Sequence, residues 1–363
     1  MNYNKLRRKA KKVYAGNVAI GGDAPIAVQS MTNTDPHDFA ATLSQVRALR
    51  LAGCDLVRLT VPDREAATVF GKVKEAEPDF PLVADIHFDY RLALAAVEAG
   101  ADKIRINPGN IGGRENVRAV CRACAAKGIP IRVGVNGGSL QPAIRAKYGA
   151  PVPGALVESA MEHIALLEAE DFTDIVISLK TSTVESMIAA NRQLAARIPY
   201  PIHLGVTEAG GGEAARLKSA IGIGALLCDG IGDTLRVSLT DDPVAEVSAA
   251  RDILTALAVD GQCGMDIISC PTCGRTKIDL IDLAARFRAA AEKEGLLSLP
   301  LRVALMGCPV NGPGEAAEAD IGICGGKGEA LLIRKGQIIR KLPEEDVISC
   351  LIAEIRKIGR AHV

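Results

Sequence analysis

Between about residue 25 and residue 240 the chain repeats one pattern: a short β-rich apolar run, a polar tip, then a longer stretch rich in Ala, Leu, Glu and Arg. The predicted strands are Ile26–Met31, Leu56–Val61, Leu82–His87, Lys103–Asn107, Ile129–Asn136, Asp174–Lys180, Ile202–Thr207 and Leu226–Leu239, the last interrupted at Asp229-Gly230-Ile231-Gly232-Asp233. Helices are predicted between them, over Phe39–Ala52, Arg64–Glu77, Arg91–Ala99, Arg114–Lys127, Leu156–Glu170 and Val184–Ala196. Strands alternating with helices imply parallel pairing through right-handed crossovers. Eight such units in this length predict a closed (β/α)8 TIM barrel rather than an open doubly wound sheet.

Beyond about Ala258 the rhythm changes. Gly261-Gln262-Cys263-Gly264 reads as a linker, followed by a helix over Asp279–Glu294, a strand Leu301–Met306 and a strand pair around Ala330–Lys341. The chain therefore divides into a barrel domain, residues 1–260, and a smaller α+β domain, residues 261–363.

Barrel enzymes place their chemistry at the C-terminal ends of the strands, and side chains alternate along a strand between the helix layer and the interior. Where Val57 and Leu59 face the helices, Arg58 faces inward. The same phasing turns Asp85, His87, Arg105, Asn107, Arg132, Asn136, Ser178 and Lys180 inward. Four cations then converge: Arg58, Arg105, Arg132 and Lys180. Like charges buried together are costly unless partners or an anion offset them. One reading closes them in ion pairs with Asp85 or Glu208. The preferred reading gives them an anionic ligand with two phosphates, because guanidinium forks bind phosphate oxygens bidentately. Among the histidines, His87 alone falls at a predicted strand end; His203 is placed in the barrel wall, and His37, His163 and His362 at the surface.

Composition narrows the field. Lys+Arg and Asp+Glu balance at 43 each, so no overall field favours nucleic acid or an anionic membrane. There is no Trp and aromatics are few, which argues against base-stacking surfaces. No apolar run reaches the ~20 residues of a transmembrane helix. Ten cysteines without a secretory leader suit a reducing compartment, where thiols stay free or bind metal. The basic stretch Lys5–Lys12 reads as a solvated arm.

The thiols give the second candidate centre. In Cys270-Pro271-Thr272-Cys273 two sulfurs are spaced so that one short turn aims both at a single centre; Cys308 follows, and Glu315 lies seven residues further on. Iron–sulfur clusters are held by thiolates at such spacings. A structural zinc closes four sulfur or imidazole ligands around itself, and with no histidine between Cys263 and Cys350 it has to recruit Cys263 or Cys324. Spacing alone leaves both open. Cys121 and Cys124 have ligand spacing but lie on a predicted helix with no third partner, and with Cys54, Cys228 and Cys350 they read as small apolar fillers.

Several longer motifs, Gln29–Thr34, Arg105–Asn110, Gly134-Val135-Asn136, Thr207–Gly211, Gly230–Leu239, Cys270–Cys273 and Asn311–Glu315, occur in this order. With them the chain closely resembles the 4-hydroxy-3-methylbut-2-enyl diphosphate synthase family in its compact bacterial form. The resemblance implies one [4Fe–4S] cluster per subunit on Cys270, Cys273 and Cys308, with Glu315 as a fourth, exchangeable ligand. It implies that Arg58, Arg105, Arg132, Lys180 and Asn136 hold substrate phosphates. Asp85, His87 and Glu208 complete the barrel side, and Asn311 sits near the cluster. The implied reaction is the reductive ring opening of 2-C-methyl-D-erythritol 2,4-cyclodiphosphate in the methylerythritol phosphate route to isoprenoids. The implied electron donor is reduced flavodoxin or ferredoxin. Such enzymes are cytoplasmic homodimers in which the cluster domain of one subunit caps the barrel of its partner.

Two other readings compete: a pterin-phosphate-type barrel transferase without redox chemistry, and a zinc-stabilised interaction module on an inactive barrel.

Overall fold

The computed structural model describes residues 6–259, 264–310 and 312–360. The chain divides into two compact units between Ile253 and Leu254.

In the first unit an N-terminal hairpin, β1 (Val13–Ala15) and β2 (Val18–Ile20), precedes the barrel. The barrel strands are β3 (Ala27–Met31), β4 (Leu56–Thr60), β5 (Leu82–Asp85), β6 (Lys103–Ile106), β7 (Ile131–Asn136), β8 (Ile175–Lys180), β9 (His203–Leu204) and β10 (Thr234–Leu235). All pair in parallel in the order β8-β7-β6-β5-β4-β3-β10-β9. A parallel bridge from Ile177 to Ile202 closes the circle, with the Ile177 amide donating to Pro201 O at 2.9 Å. Eight strands with their helices give the expected (β/α)8 barrel. Three of the helices start where acidic residues accept orphan amides: Asp38 from Ala41, Asp63 from Ala66 and Asp89 from Arg91.

The last strand differs from its prediction. Leu226–Cys228 ends the helix Gly212–Cys228, where Ala215, Ser219, Gly222, Ile223, Leu226 and Leu227 form its buried face. The strand itself is only Thr234–Leu235. Asp233 anchors it, accepting from the Ile202 amide at 2.8 Å and from Arg7 Nη2 at 2.6 Å.

That ion pair also corrects the expectation of a solvated basic arm. Arg7 is buried against Asp233 and donates to Ala24 O; Arg8 donates to the Ile198 and Tyr200 carbonyls at 2.7 and 2.5 Å. Free carbonyls and one carboxylate at the N-terminal end of the barrel draw the guanidinium groups out of water. Beside them Val13, Ala15 and Ile20 of the hairpin pack on Ala27, Leu56, Val83 and Val176, so this end of the barrel is plugged.

The second unit is built on a five-stranded sheet: β11 (Asp266–Ser269), β12 (Arg302–Met306), β13 (Ile321–Gly325), β14 (Glu329–Arg334) and β15 (Gln337–Pro343), in that order. β11, β12 and β13 are parallel; β13, β14 and β15 are antiparallel. The helices Leu280–Lys293 and Val347–Arg360 cover one face through Leu283, Phe287, Leu351 and Ile355. The other face carries a smaller cluster of Ala304, Met306, Ala316, Ala319, Cys324 and Ile333. The unit is the expected α+β domain.

Candidate functional site

At the C-terminal ends of the barrel strands a cavity of about 270 Å3 opens. Seven residues turned inward by phasing line it, Arg58, Asp85, His87, Arg105, Arg132, Asn136 and Lys180, together with Met31, Thr207, Arg236 and Ser238. Asn107 is buried away from the cavity, its Oδ1 accepting from the Gly109 amide at 3.0 Å. Two glycines make room for the long cations. A Cβ on Gly134 would stand 2.8 Å from Arg105 Nε, and one on Gly205 would stand 2.9 Å from Lys180 Nζ.

Asp85 is the carboxylate of this cavity, and both of its oxygens are engaged. Oδ1 accepts from Arg105 Nη1 at 3.1 Å, while Oδ2 lies 3.7 Å from Arg58 Nε and 3.9 Å from His87 Nε2. Burial pushes its carboxyl up, but Arg58, then Arg105, His87 and Arg132, hold it down at about 2. Arg58 also donates to the Met31 sulfur at 2.9 Å, and burial draws its guanidinium down to about 10, still charged at neutral pH.

Arg236 was missed by strand phasing, although the same alternation between Leu235 and Val237 turns it inward. Its Nη2 and Nε bind Glu246 at 2.8 and 3.0 Å, and Glu246 accepts further from Ser30 Oγ at 2.8 Å and the Leu239 amide at 3.1 Å. Five cations thus face the cavity, against Asp85 within it and Glu246 behind Arg236. Arg132, 1% exposed, donates to Ser178 Oγ at 2.7 Å but leaves Nε and Nη2 without hydrogen-bond partners. Burial, then Arg58 and Arg105, disfavours its charge; burial, then Arg132 and Arg58, does the same to Lys180. An anion in the cavity offsets this cost.

The ion-pair reading accounts for Asp85 and not for Glu208. Glu208 is exposed, in a left-handed conformation at φ 55°, and lines a neighbouring cavity of about 500 Å3 that shares Asn136 and Thr207 with the first. His87 keeps its place at the strand end, and one histidine needs relocating. His87 lies just past β5, half exposed, beside the Phe88 ring. His163 is buried rather than superficial, because its helix, Pro153–Glu168, presents it to Gln141 at 2.9 Å, and burial lowers its imidazole to about 4.

In the second unit Cys270, Cys273, Cys308 and Glu315 line one cavity of about 180 Å3, with Arg275, Thr276, Met306 and Gly312. Parallel pairing of β11 with β12 brings Cys270 and Cys308 together, since each lies just past the C-terminal end of its strand. The Cys270 amide donates to Leu305 O at 3.2 Å, and the Gly307 amide donates to Cys270 Sγ at 3.2 Å. The Cys273 turn is closed by Thr276, whose amide donates to Cys273 O at 2.9 Å and whose Oγ1 accepts from the Cys273 amide at 3.1 Å. Hydrogen bonds from the Arg275 backbone and side chain hold the Cys273 thiol below its ordinary range, favouring the thiolate. Glu315 ends the short helix Gly312–Glu315.

Cys324 is different: it is buried in the apolar cluster under Gly312, and burial pushes its thiol up to about 12. Among the described residues the donors surround a space and no three close on a single ion. Three soft thiols and one hard carboxylate spread around a cavity fit a polynuclear iron–sulfur group; a lone zinc draws four ligands to one point. Asn311 and Cys263 lie outside the described residues.

A closed parallel barrel with a cation-lined mouth, followed by a unit that gathers three thiols and a carboxylate, defines a two-domain barrel protein with a cation-lined cavity in the first unit and a soft-donor cavity in the second. The GcpE TIM-barrel domain matches residues 10–251 and the GcpE protein C-terminal domain matches residues 266–357, and the chain belongs to the GcpE family. It is 54% identical over 352 residues to the 4-hydroxy-3-methylbut-2-en-1-yl diphosphate synthase (flavodoxin) of Clostridium perfringens, covering 97% of this chain and 99% of that one. It is 52% identical to the enzyme of the same name from Geobacter sulfurreducens, with 97% and 99% covered. Among solved structures, the dihydropteroate synthase of Thermus thermophilus superposes with a TM-score of 0.51 at 18% identity, covering 69% of this chain and 97% of that one. The type I 3-dehydroquinate dehydratase of Clostridium difficile does so with a TM-score of 0.51 at 12% identity, covering 69% and 97%. These last two are likenesses of fold alone, so the pterin-type reading gains nothing from them. Among the described residues no helix is long and apolar enough to cross a membrane.

Proposed function

We propose that this chain converts 2-C-methyl-D-erythritol 2,4-cyclodiphosphate to 4-hydroxy-3-methylbut-2-enyl diphosphate, taking up two electrons and two protons and releasing one oxygen as water. The observation that carries this is the mouth cavity, where Arg132 and Lys180 are buried cations with no carboxylate partner among the described residues. A diphosphate supplies the missing charge. Membership of a family whose nearly full-length relatives bear this synthase name adds the diphosphate product and flavodoxin.

In this reading Arg58, Arg105, Arg132 and Lys180 grip the two phosphates, with Asn136 and Arg236 at the edge. Asp85 orients rather than binds: by holding Arg58 and Arg105 it fixes their forks before the anion arrives. His87 and Glu208 are the acid–base side chains at this end of the barrel. Cys270, Cys273, Cys308 and Glu315 would hold a [4Fe–4S] cluster, Glu315 as the exchangeable ligand. When bound, the cluster supplies electrons one at a time and a Lewis-acidic iron. Asn311 beside it, reduced flavodoxin as donor, a homodimer and a cytoplasmic setting complete the reading.

An anaerobic assay with reduced flavodoxin and the cyclic diphosphate tests it. Turnover by brown protein containing about four irons per chain supports it, whereas colourless protein holding stoichiometric zinc and forming no product would sink it. Arg105→Ala removes a fork aimed at the ligand and is expected to raise KM for the cyclic diphosphate about 10- to 100-fold, the loss of one charged hydrogen-bonding group. An unchanged KM would place Arg105 outside the site.

A further inference from the structure

We infer that filling the mouth cavity with a diphosphate draws about one proton into the barrel interior, onto Lys103 Nζ. The inference rests on reading that cavity as a diphosphate site.

Lys103 stands on β6 two residues before Arg105 and on the same face, so it enters the barrel beneath the cavity. It is fully buried, and Nζ has no hydrogen-bond partner. The ionisable groups turned into this interior are Arg58 on β4, Asp85 on β5, Arg105 on β6, Arg132 on β7, Lys180 on β8 and Arg236 after β10, with Glu246 behind. Both carboxylates are already engaged, Asp85 by Arg58 and Arg105, Glu246 by Arg236 and Ser30. An ammonium at Lys103 therefore has neither an acceptor nor a counter-ion, and in the ligand-free protein the neutral amine is favoured. Burial, then Arg132 and Arg58, acts in that direction. His203 on β9 is the neighbouring titratable group; its Nδ1 lies 3.4 Å from Thr234 Oγ1 and its Nε2 is unpartnered.

A diphosphate among Arg132, Arg58 and Lys180 adds negative charge to a water-poor interior, where charge interactions carry far. The ammonium form of Lys103 then becomes the favoured one, and the proton comes from solvent. The cyclic diphosphate does not supply it, because each phosphorus in the ring lacks the second ionisation, at about pH 6, of a phosphate monoester.

Calorimetric titration of the cluster-loaded protein with the cyclic diphosphate, without air and in two buffers of different ionisation enthalpy, reads the proton directly. The expected result is a buffer-dependent enthalpy equal to uptake of about one proton, with Kd rising about tenfold per pH unit over the same range. Lys103→Met, which fills the same space without a titratable group, is expected to bind with no buffer dependence, and His203→Gln to keep it. Equal enthalpies in the two buffers for the native chain overturn the inference, as does full proton uptake by Lys103→Met; the native-chain comparison decides even if that variant does not fold. Absence of any binding instead overturns the diphosphate reading of the cavity.

Discussion

Cys308→Ser, prepared without air, is expected to lose its iron and at least ~10²-fold in turnover, while the barrel still binds the cyclic diphosphate. Losing only the support of a metal ligand already costs 10- to 100-fold, so losing a ligand sets a floor at the upper end of that range. A serine hydroxyl at this position is neutral at working pH and hard, whereas cluster irons are held by thiolates. The parallel β11–β12 pair makes the site specific to the position: the strand ends aim Cys270 and Cys308 into one cavity. Cys324→Ala is the matched control. Its sulfur is buried in the apolar cluster and its thiol is pushed up to about 12, so iron content is expected to stay at the native level. Iron analysis and absorption near ~400 nm check both variants. Native iron in Cys308→Ser, or iron loss in Cys324→Ala, would reverse the ligand assignment.

The barrel was legible because its strands are short apolar runs alternating with stretches rich in Ala, Leu, Glu and Arg, and both signals are local. Phasing from Val57, Ile104 and Ile131 brought Arg58, Arg105 and Arg132 to one cavity, since a strand's two-residue period leaves no other face for them. Legibility failed where long-range partners decide. Nothing local marks Arg7 as buried; its partner Asp233 is 226 residues away. The helix Gly212–Cys228 escaped notice because apolar residues and glycines lie around most of its surface, which blurs the helical period. Strand β13 and the helix Val347–Arg360 were also unmarked, and β13 is defined by pairing with strands on either side of it. The role of Glu208 cannot be read from charge alone, since its strained backbone directs it to the neighbouring cavity rather than toward the cations.

Charge sets the behaviour of each centre. In the barrel the cations outnumber the carboxylates, a cost to the ligand-free protein that the proposed diphosphate would offset. In the second unit, hydrogen bonds from Arg275 favour the thiolate at Cys273, while burial keeps Cys324 protonated. Sulfur therefore serves as donor at Cys273 and as apolar filler at Cys324, 51 residues further along the chain.

Asp85→Asn is expected to destabilise the ligand-free protein by about 3–5 kcal/mol, because it leaves Arg58 and Arg105 buried without their shared counter-charge. For a chain of this size that lowers the unfolding midpoint by roughly 5 °C. The pH dependence has a definite sign. The carboxyl is held at about 2, below its unfolded value, so its contribution is present above the unfolded value and is lost as pH falls toward 2. The gap between native chain and variant should stay constant from neutrality down to about pH 4 and narrow below it. Adding the cyclic diphosphate should raise the midpoint of Asp85→Asn more than that of the native chain, since the ligand then supplies charge that the protein lacks. Melting curves over pH, with and without ligand, check all three expectations. An unchanged midpoint for Asp85→Asn would mean that Arg58 and Arg105 are neutralised by something other than this carboxylate.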